Sequence, residues 1–81
     1  MARVVFVSTQ FDPYTKGLES VEVEAGTIFQ LVRRLEERFP GIGREIETQS
    51  SIAVDGDVIQ VWSSPLTETS EVTLFPKISG G

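Results

Sequence analysis

The sequence predicts an α+β roll: a mixed sheet of about five strands with one main helix laid across it. Three observations predict it. Apolar or alternating runs of strand length open the chain and recur through its second half. Between them lies one long stretch of helical periodicity. Gly, Pro and Asp mark most of the joins. The 81 residues suffice for one small domain, and 40% hydrophobic with 23% charged residues is the composition of a folded chain.

Taken in order, Val4, Val5, Phe6 and Val7 form an apolar run on both faces, which predicts a central strand. Residues 8–17 hold Asp12, Pro13 and Gly17 and read as a loop. Ser20, Val21, Glu22, Val23 and Glu24 alternate, giving a strand with one wet face that is expected to pair antiparallel with the first. A helix starts at Thr27, which with Gln30 has the form of a capping box. Ile28, Leu31, Val32, Leu35 and Phe39 line its buried face, Arg33 and Glu37 lie outside, and Pro40-Gly41 stops it. In residues 41–50, Ile42 and Ile46 can anchor a short helical turn. Residues 51–54 form a strand, Asp55-Gly56 a type I′ hairpin turn, and residues 58–62 the return strand. Pro65-Leu66 marks a turn, and residues 72–75 are the last strand, ended by Pro76. A helix that follows a hairpin must cross the sheet and pack on one face, and the β-grasp roll solves that order. The domain is expected over residues 1–75, with a flexible tail over 76–81.

Composition excludes much chemistry. The chain has no Cys and no His. That removes disulfides, thiol redox chemistry, Cys and His dyads and nearly every zinc site, so no metal is expected. Serine hydrolysis would lack its usual base. A net charge of −5 repels phosphate backbones, so nucleic acid is not an expected partner. No apolar run approaches a membrane span, and the first residues lack a signal-peptide core, so a cytoplasmic location is expected.

The last residues are the most informative. Two terminal glycines arise by chance about 0.5% of the time, so Gly80 and Gly81 are suggestive without being decisive. A frayed end or a cloning remnant is the plain alternative. Context raises the functional reading, because the glycines follow a strand, Pro76 and a short linker. Six residues extend roughly 20 Å. An end without side chains can enter a narrow tunnel in another protein. There a carboxylate converted to an acyl adenylate becomes an acyl donor: sulfide or persulfide attack gives a thiocarboxylate, and amine attack an isopeptide. The chain is then the substrate, and its partner supplies ATP and the catalytic groups.

The sequence resembles the MoaD/ThiS family of ubiquitin-like sulfur carriers, and most closely its molybdopterin synthase small-subunit branch. The run from Leu31 through Arg38-Phe39-Pro40-Gly41 is similar to that family's helix and its ending. Ile52-Ala53-Val54-Asp55-Gly56 resembles its strand and turn, and Pro65-Leu66-Thr67 with Glu71-Val72-Thr73-Leu74-Phe75-Pro76 its C-terminal segment. Ile78-Ser79-Gly80-Gly81 resembles its tail. The resemblance covers most of the chain after about residue 20. It implies that Gly81 is adenylated and thiocarboxylated, with Gly80 keeping the tail slender. It implies partner contacts from Phe75, Pro76, Lys77, Ile78 and Ser79. It also implies a chain with no catalysis of its own and no bound cofactor. The partners would be an ATP-using, ubiquitin-activating-type adenylyltransferase and the large subunit of a heterotetrameric molybdopterin synthase.

The chain departs from that pattern in residues 8–17, at Asp55 where Asn is frequent, and at Lys77 where a second Pro is common. A carrier for thiamine, tRNA thiolation, amino-acid or natural-product synthesis fits these departures. A protein modifier joined through Gly81, or a binding module with a loose tail, are the other readings. Asp55 and Asp57 read as hairpin chemistry ahead of a cation or acid–base site. Arg33, Arg34 and Arg38, interleaved with Glu36 and Glu37, read as a solvated helix face. Trp62 is expected to be packed. Phe11 and Tyr14 are either a recognition patch or fold back over the core. Phe75 is either a core residue or an outward-facing contact.

Overall fold

In the computed structural model, which describes residues 1–77, five strands form one sheet in the order β2-β1-β5-β3-β4. The strands are β1 (Ala2–Phe6), β2 (Ser20–Val23), β3 (Ser50–Val54), β4 (Asp57–Ile59) and β5 (Glu71–Pro76). β1 pairs antiparallel with β2 and parallel with β5, and β3 pairs antiparallel with β5 and β4. The sheet is therefore mixed, with β1, β5 and β3 interior and β2 and β4 at its edges. This is the expected β-grasp arrangement.

Helix α2 (Ile28–Arg38) crosses one face. Thr27 caps it as expected, its hydroxyl accepting from the Gln30 N–H at 3.2 Å. The reciprocal bond differs from a capping box, because Gln30 Oε1 accepts from Gly26 N at 2.8 Å rather than from Thr27. Ile28, Leu31, Val32 and Leu35 are buried against Val4, Phe6, Val23, Val72 and Leu74 of the sheet. Phe39 is the C-cap and only half-buried, so the apolar stripe outlasts the helix by one residue.

Two segments are more ordered than expected. Residues 8–17 are not a loop. Thr9–Phe11 form a 3-10 turn and Asp12–Thr15 the short helix α1, closed by left-handed Lys16 and Gly17. Phe11 is fully buried, its ring centroid 5.5 Å from that of Phe6. Burying that ring repays the ordering of the turn, so the fold-back reading of Phe11 holds. The second segment is residues 42–49, where an eight-residue helix, α3 (Ile42–Gln49), replaces the short turn. Ile42 and Ile46 are its buried residues. Gly41 precedes it with φ 98°, and a Cβ there would meet Tyr14 Cε1 at 3.0 Å. α2 is thus the one main helix expected across the sheet, and α3 is a second, shorter helix where only a turn was expected.

The β3–β4 hairpin turns at Asp55 (φ 49°) and Gly56 (φ 90°), as a type I′ turn requires. β4 is shorter than expected and stops at Ile59. Trp62 packs against the core, and Pro65 bridges to Thr27 across the start of α2.

Candidate functional site

The site is built around β5, because this strand delivers the chain to the C-terminal tail. Val72 and Leu74 are fully buried under the helices. Period-two alternation therefore places Thr73 and Phe75 on the opposite, helix-free face. Cross-strand neighbours continue that face. Val5 and Ala53 flank Thr73, Ser51 lies opposite Phe75, and Val58 lies opposite Ala53. Phe75 is half-buried by these neighbours, and Val58 is 59% exposed. The result is a shallow surface of small and apolar side chains with one aromatic ring at the tail end.

The expected partner-binding residues divide at residue 77. Phe75 sits half-buried on the open face, not in the core beside Leu74. Pro76 does not end the strand ahead of itself; it is the last residue of β5, opposite Ser50. Its missing N–H is tolerated at the end of the ladder. Lys77 is exposed, yet its N–H donates to the Gln49 carbonyl at 3.1 Å. Ile78, Ser79, Gly80 and Gly81 lie outside the described residues.

α3 supplies the Gln49 carbonyl, and Glu36 holds the start of α3. Its carboxylate accepts from the Gly41 and Gly43 N–H groups, both at 2.8 Å. These two bonds hold the Glu36 carboxyl below its ordinary value, with Gly41 contributing most. Tyr14 donates to Glu45 Oε1 at 3.3 Å. Desolvation first, then the Glu45 charge, pushes the Tyr14 phenol above its ordinary range. Glu36 and Gln10, which touches α3 as well, are positions that sequence reasoning missed. An acidic residue one turn ahead of a Pro-Gly helix break was the available signal for Glu36.

The remaining candidates resolve as structural. Asp55 Oδ1 accepts from Glu71 N at 2.8 Å while Asp55 N donates to Glu71 O at 2.8 Å, so Asp55 ties the hairpin to β5. Arg33, Arg34 and Arg38 lie on the exposed side of α2, and Arg38 donates to the Glu22 carbonyl at 3.1 Å. Among the described residues no group of three or more His, Cys, Asp or Glu is placed to hold a metal, and no helix is long and apolar enough to cross a membrane. A groove of about 950 Å³ runs between α2 and α3 under Phe29 and Trp62, whose rings meet edge to face at 5.7 Å. It lies on the helical side, away from Phe75.

The fold and the tail-bearing strand define a ubiquitin-like β-grasp protein. The profile of the ThiS family matches residues 5–81, and the chain belongs to that family. Mycobacterium tuberculosis CysO superposes with a TM-score of 0.86 at 19% identity, over 96% of this chain and 100% of that one. A chain of the Helicobacter pylori complex of molybdopterin-converting factor subunits 1 and 2 superposes with a TM-score of 0.69 at 21% identity, over 99% and 97%. The small archaeal modifier protein 1 of Methanosarcina acetivorans gives 0.79 at 14% identity, over 99% and 95%. At these identities the likeness speaks for the fold. Comparison with curated proteins finds no significant match.

Proposed function

We propose that this chain is a sulfur carrier that serves molybdopterin biosynthesis, acting as the non-catalytic small subunit and sulfur-donating co-substrate of a molybdopterin synthase. Gly81 is its reacting residue. An ATP-using adenylyltransferase joins the Gly81 carboxylate to AMP, releasing pyrophosphate. Sulfide then attacks the acyl carbon and expels AMP, leaving a terminal thiocarboxylate. ATP belongs to the partner, and the chain holds no cofactor. Phe75, Pro76, Lys77, Ile78, Ser79 and Gly80 form the contact strip that guides the terminus into the partner's site. The observation that carries this reading is the path of β5. An interior strand of a ThiS-family domain turns Phe75 onto an open face and hands Lys77 toward the diglycine.

A second reading keeps the chemistry and changes the acceptor to thiamine, tRNA, an amino acid or a natural product. Residues 8–17, which depart from the family's sequence pattern, favour it, because Gln10 of that segment lies against Gln49, the residue that holds Lys77. Modification of proteins through an isopeptide at Gly81 is the third reading. ATP–pyrophosphate exchange by the activating enzyme tests the common step. Wild-type chain is expected to stimulate exchange, and a Gly81 deletion that still folds is expected to abolish it. Full exchange with the deletion variant would remove Gly81 from the chemistry. Purification with a large synthase subunit from the host then separates the molybdopterin reading from the others.

A further inference from the structure

Where the tail leaves the domain, five groups from three separate segments converge. The Gln49 carbonyl at the end of α3 accepts from Lys77 N at 3.1 Å and from Gln10 Nε2 at 3.0 Å, using both lone pairs. The same Gln10 amide donates to Glu45 Oε2 at 3.0 Å, and Tyr14 donates to the other Glu45 oxygen. Both partners of the Gln10 amide are acceptors, which fixes the carboxamide with its NH2 toward α3. That orientation has a consequence. Gln10 Oε1 is buried and has no hydrogen-bond partner, alone among the buried side-chain polar atoms of the described residues. A buried acceptor left unmet is unfavourable, so the side chain is held here for its donor.

We propose that Gln10 is a positioning residue for the tail: its amide fixes the Gln49 carbonyl, and that carbonyl fixes Lys77 at the point where the chain departs. The proposal rests on the reading of the tail as the reacting segment. A root held in one place fixes where the chain leaves the domain, and so where the terminus is offered to its partner's site. Gln10 touches neither Gly81 nor any reacting atom, so its effect falls on carrier binding rather than on the chemical step.

Amide hydrogen exchange and steady-state activation, measured side by side, test it. Gln10→Glu turns an oxygen toward both Gln49 O and Glu45. It is expected to speed exchange at the Lys77 N–H about ten-fold, the worth of one lost hydrogen bond, while Leu74 in the core stays unchanged. Gln10→Lys keeps a donor for both acceptors and removes the orphan oxygen, so it is expected to retain Lys77 protection. With the activating enzyme, Gln10→Glu should raise KM for the carrier while kcat stays within two-fold, and Gln10→Lys should restore KM. A purely structural role would move Lys77 and Leu74 together. Unchanged Lys77 exchange in Gln10→Glu, or equal loss in Gln10→Lys, would overturn the proposal. Failure of wild-type chain to be activated would refute the carrier reading instead, and the exchange arm would still decide the role of Gln10.

Discussion

Phe11→Ala is the sharpest test of how residues 8–17 fold, because a loop and a core segment predict different costs. Phe11 is fully buried, and its ring lies 5.5 Å from Phe6. Truncating a buried Phe to Ala removes about 3–5 kcal/mol. A chain of 81 residues has a total stability of about 4–12 kcal/mol, so the variant forfeits a quarter or more of it. For a domain of this size the midpoint of thermal unfolding should fall on the order of 15–30 °C. Urea unfolding followed by far-UV circular dichroism and by the fluorescence of Trp62, the one tryptophan, gives the number. Leu18→Ala, at a position 47% exposed in the same region, is the control and should stay within about 0.5 kcal/mol of wild type. A Phe11→Ala loss under about 1 kcal/mol with an unchanged m-value would refute the burial argument.

Other substitutions probe the site and its supports. Phe75→Ser, on the open face, should cost stability about 1 kcal/mol while weakening binding to the activating enzyme ten-fold or more, read by isothermal calorimetry. Glu36 has a folded pKa below its ordinary 4.5, so its contribution is present above that value and is lost as pH falls through the lower folded value. The urea midpoints of wild type and Glu36→Gln should therefore differ at pH 7 and converge on acidification below pH 4.5. Gly41→Ala should lose about 1–2 kcal/mol from its left-handed backbone, and more from the Tyr14 ring at 3.0 Å. Gly56→Ala, with open space around it, should lose the backbone share alone, and Tyr14→Ala should bring Gly41→Ala down to that level.

Much of this architecture could be read from pattern. The stripe of Ile28, Leu31, Val32 and Leu35 declared its helix because every fourth or third residue was apolar, and Asp55-Gly56 declared its turn because both positions need positive φ. Residues 8–17 misled because Asp, Pro and Gly are also good helix-start and helix-end residues. What ordered them was tertiary burial of Phe11, a long-range contact that no local pattern reports. α3 was half-legible for the same reason: Ile42 and Ile46 gave one turn, while Glu36 supplied the N-terminal partners that extend it. The identity of the tail followed from resemblance, and the direction of Phe75 followed only once Leu74 was placed in the core. Gln10 carried no sequence signal, since a polar residue in a polar segment is unremarked until its neighbours are known.

The central claim is that this chain carries sulfur on Gly81. Intact mass spectrometry after incubation with ATP, a sulfide donor and the activating adenylyltransferase tests it most directly. The predicted result is a mass gain equal to exchange of one carboxylate oxygen for sulfur, located at Gly81 by fragmentation and absent from the Gly81 deletion. An unchanged mass, with an enzyme that thiocarboxylates its own cognate carrier and binds this chain, would contradict it.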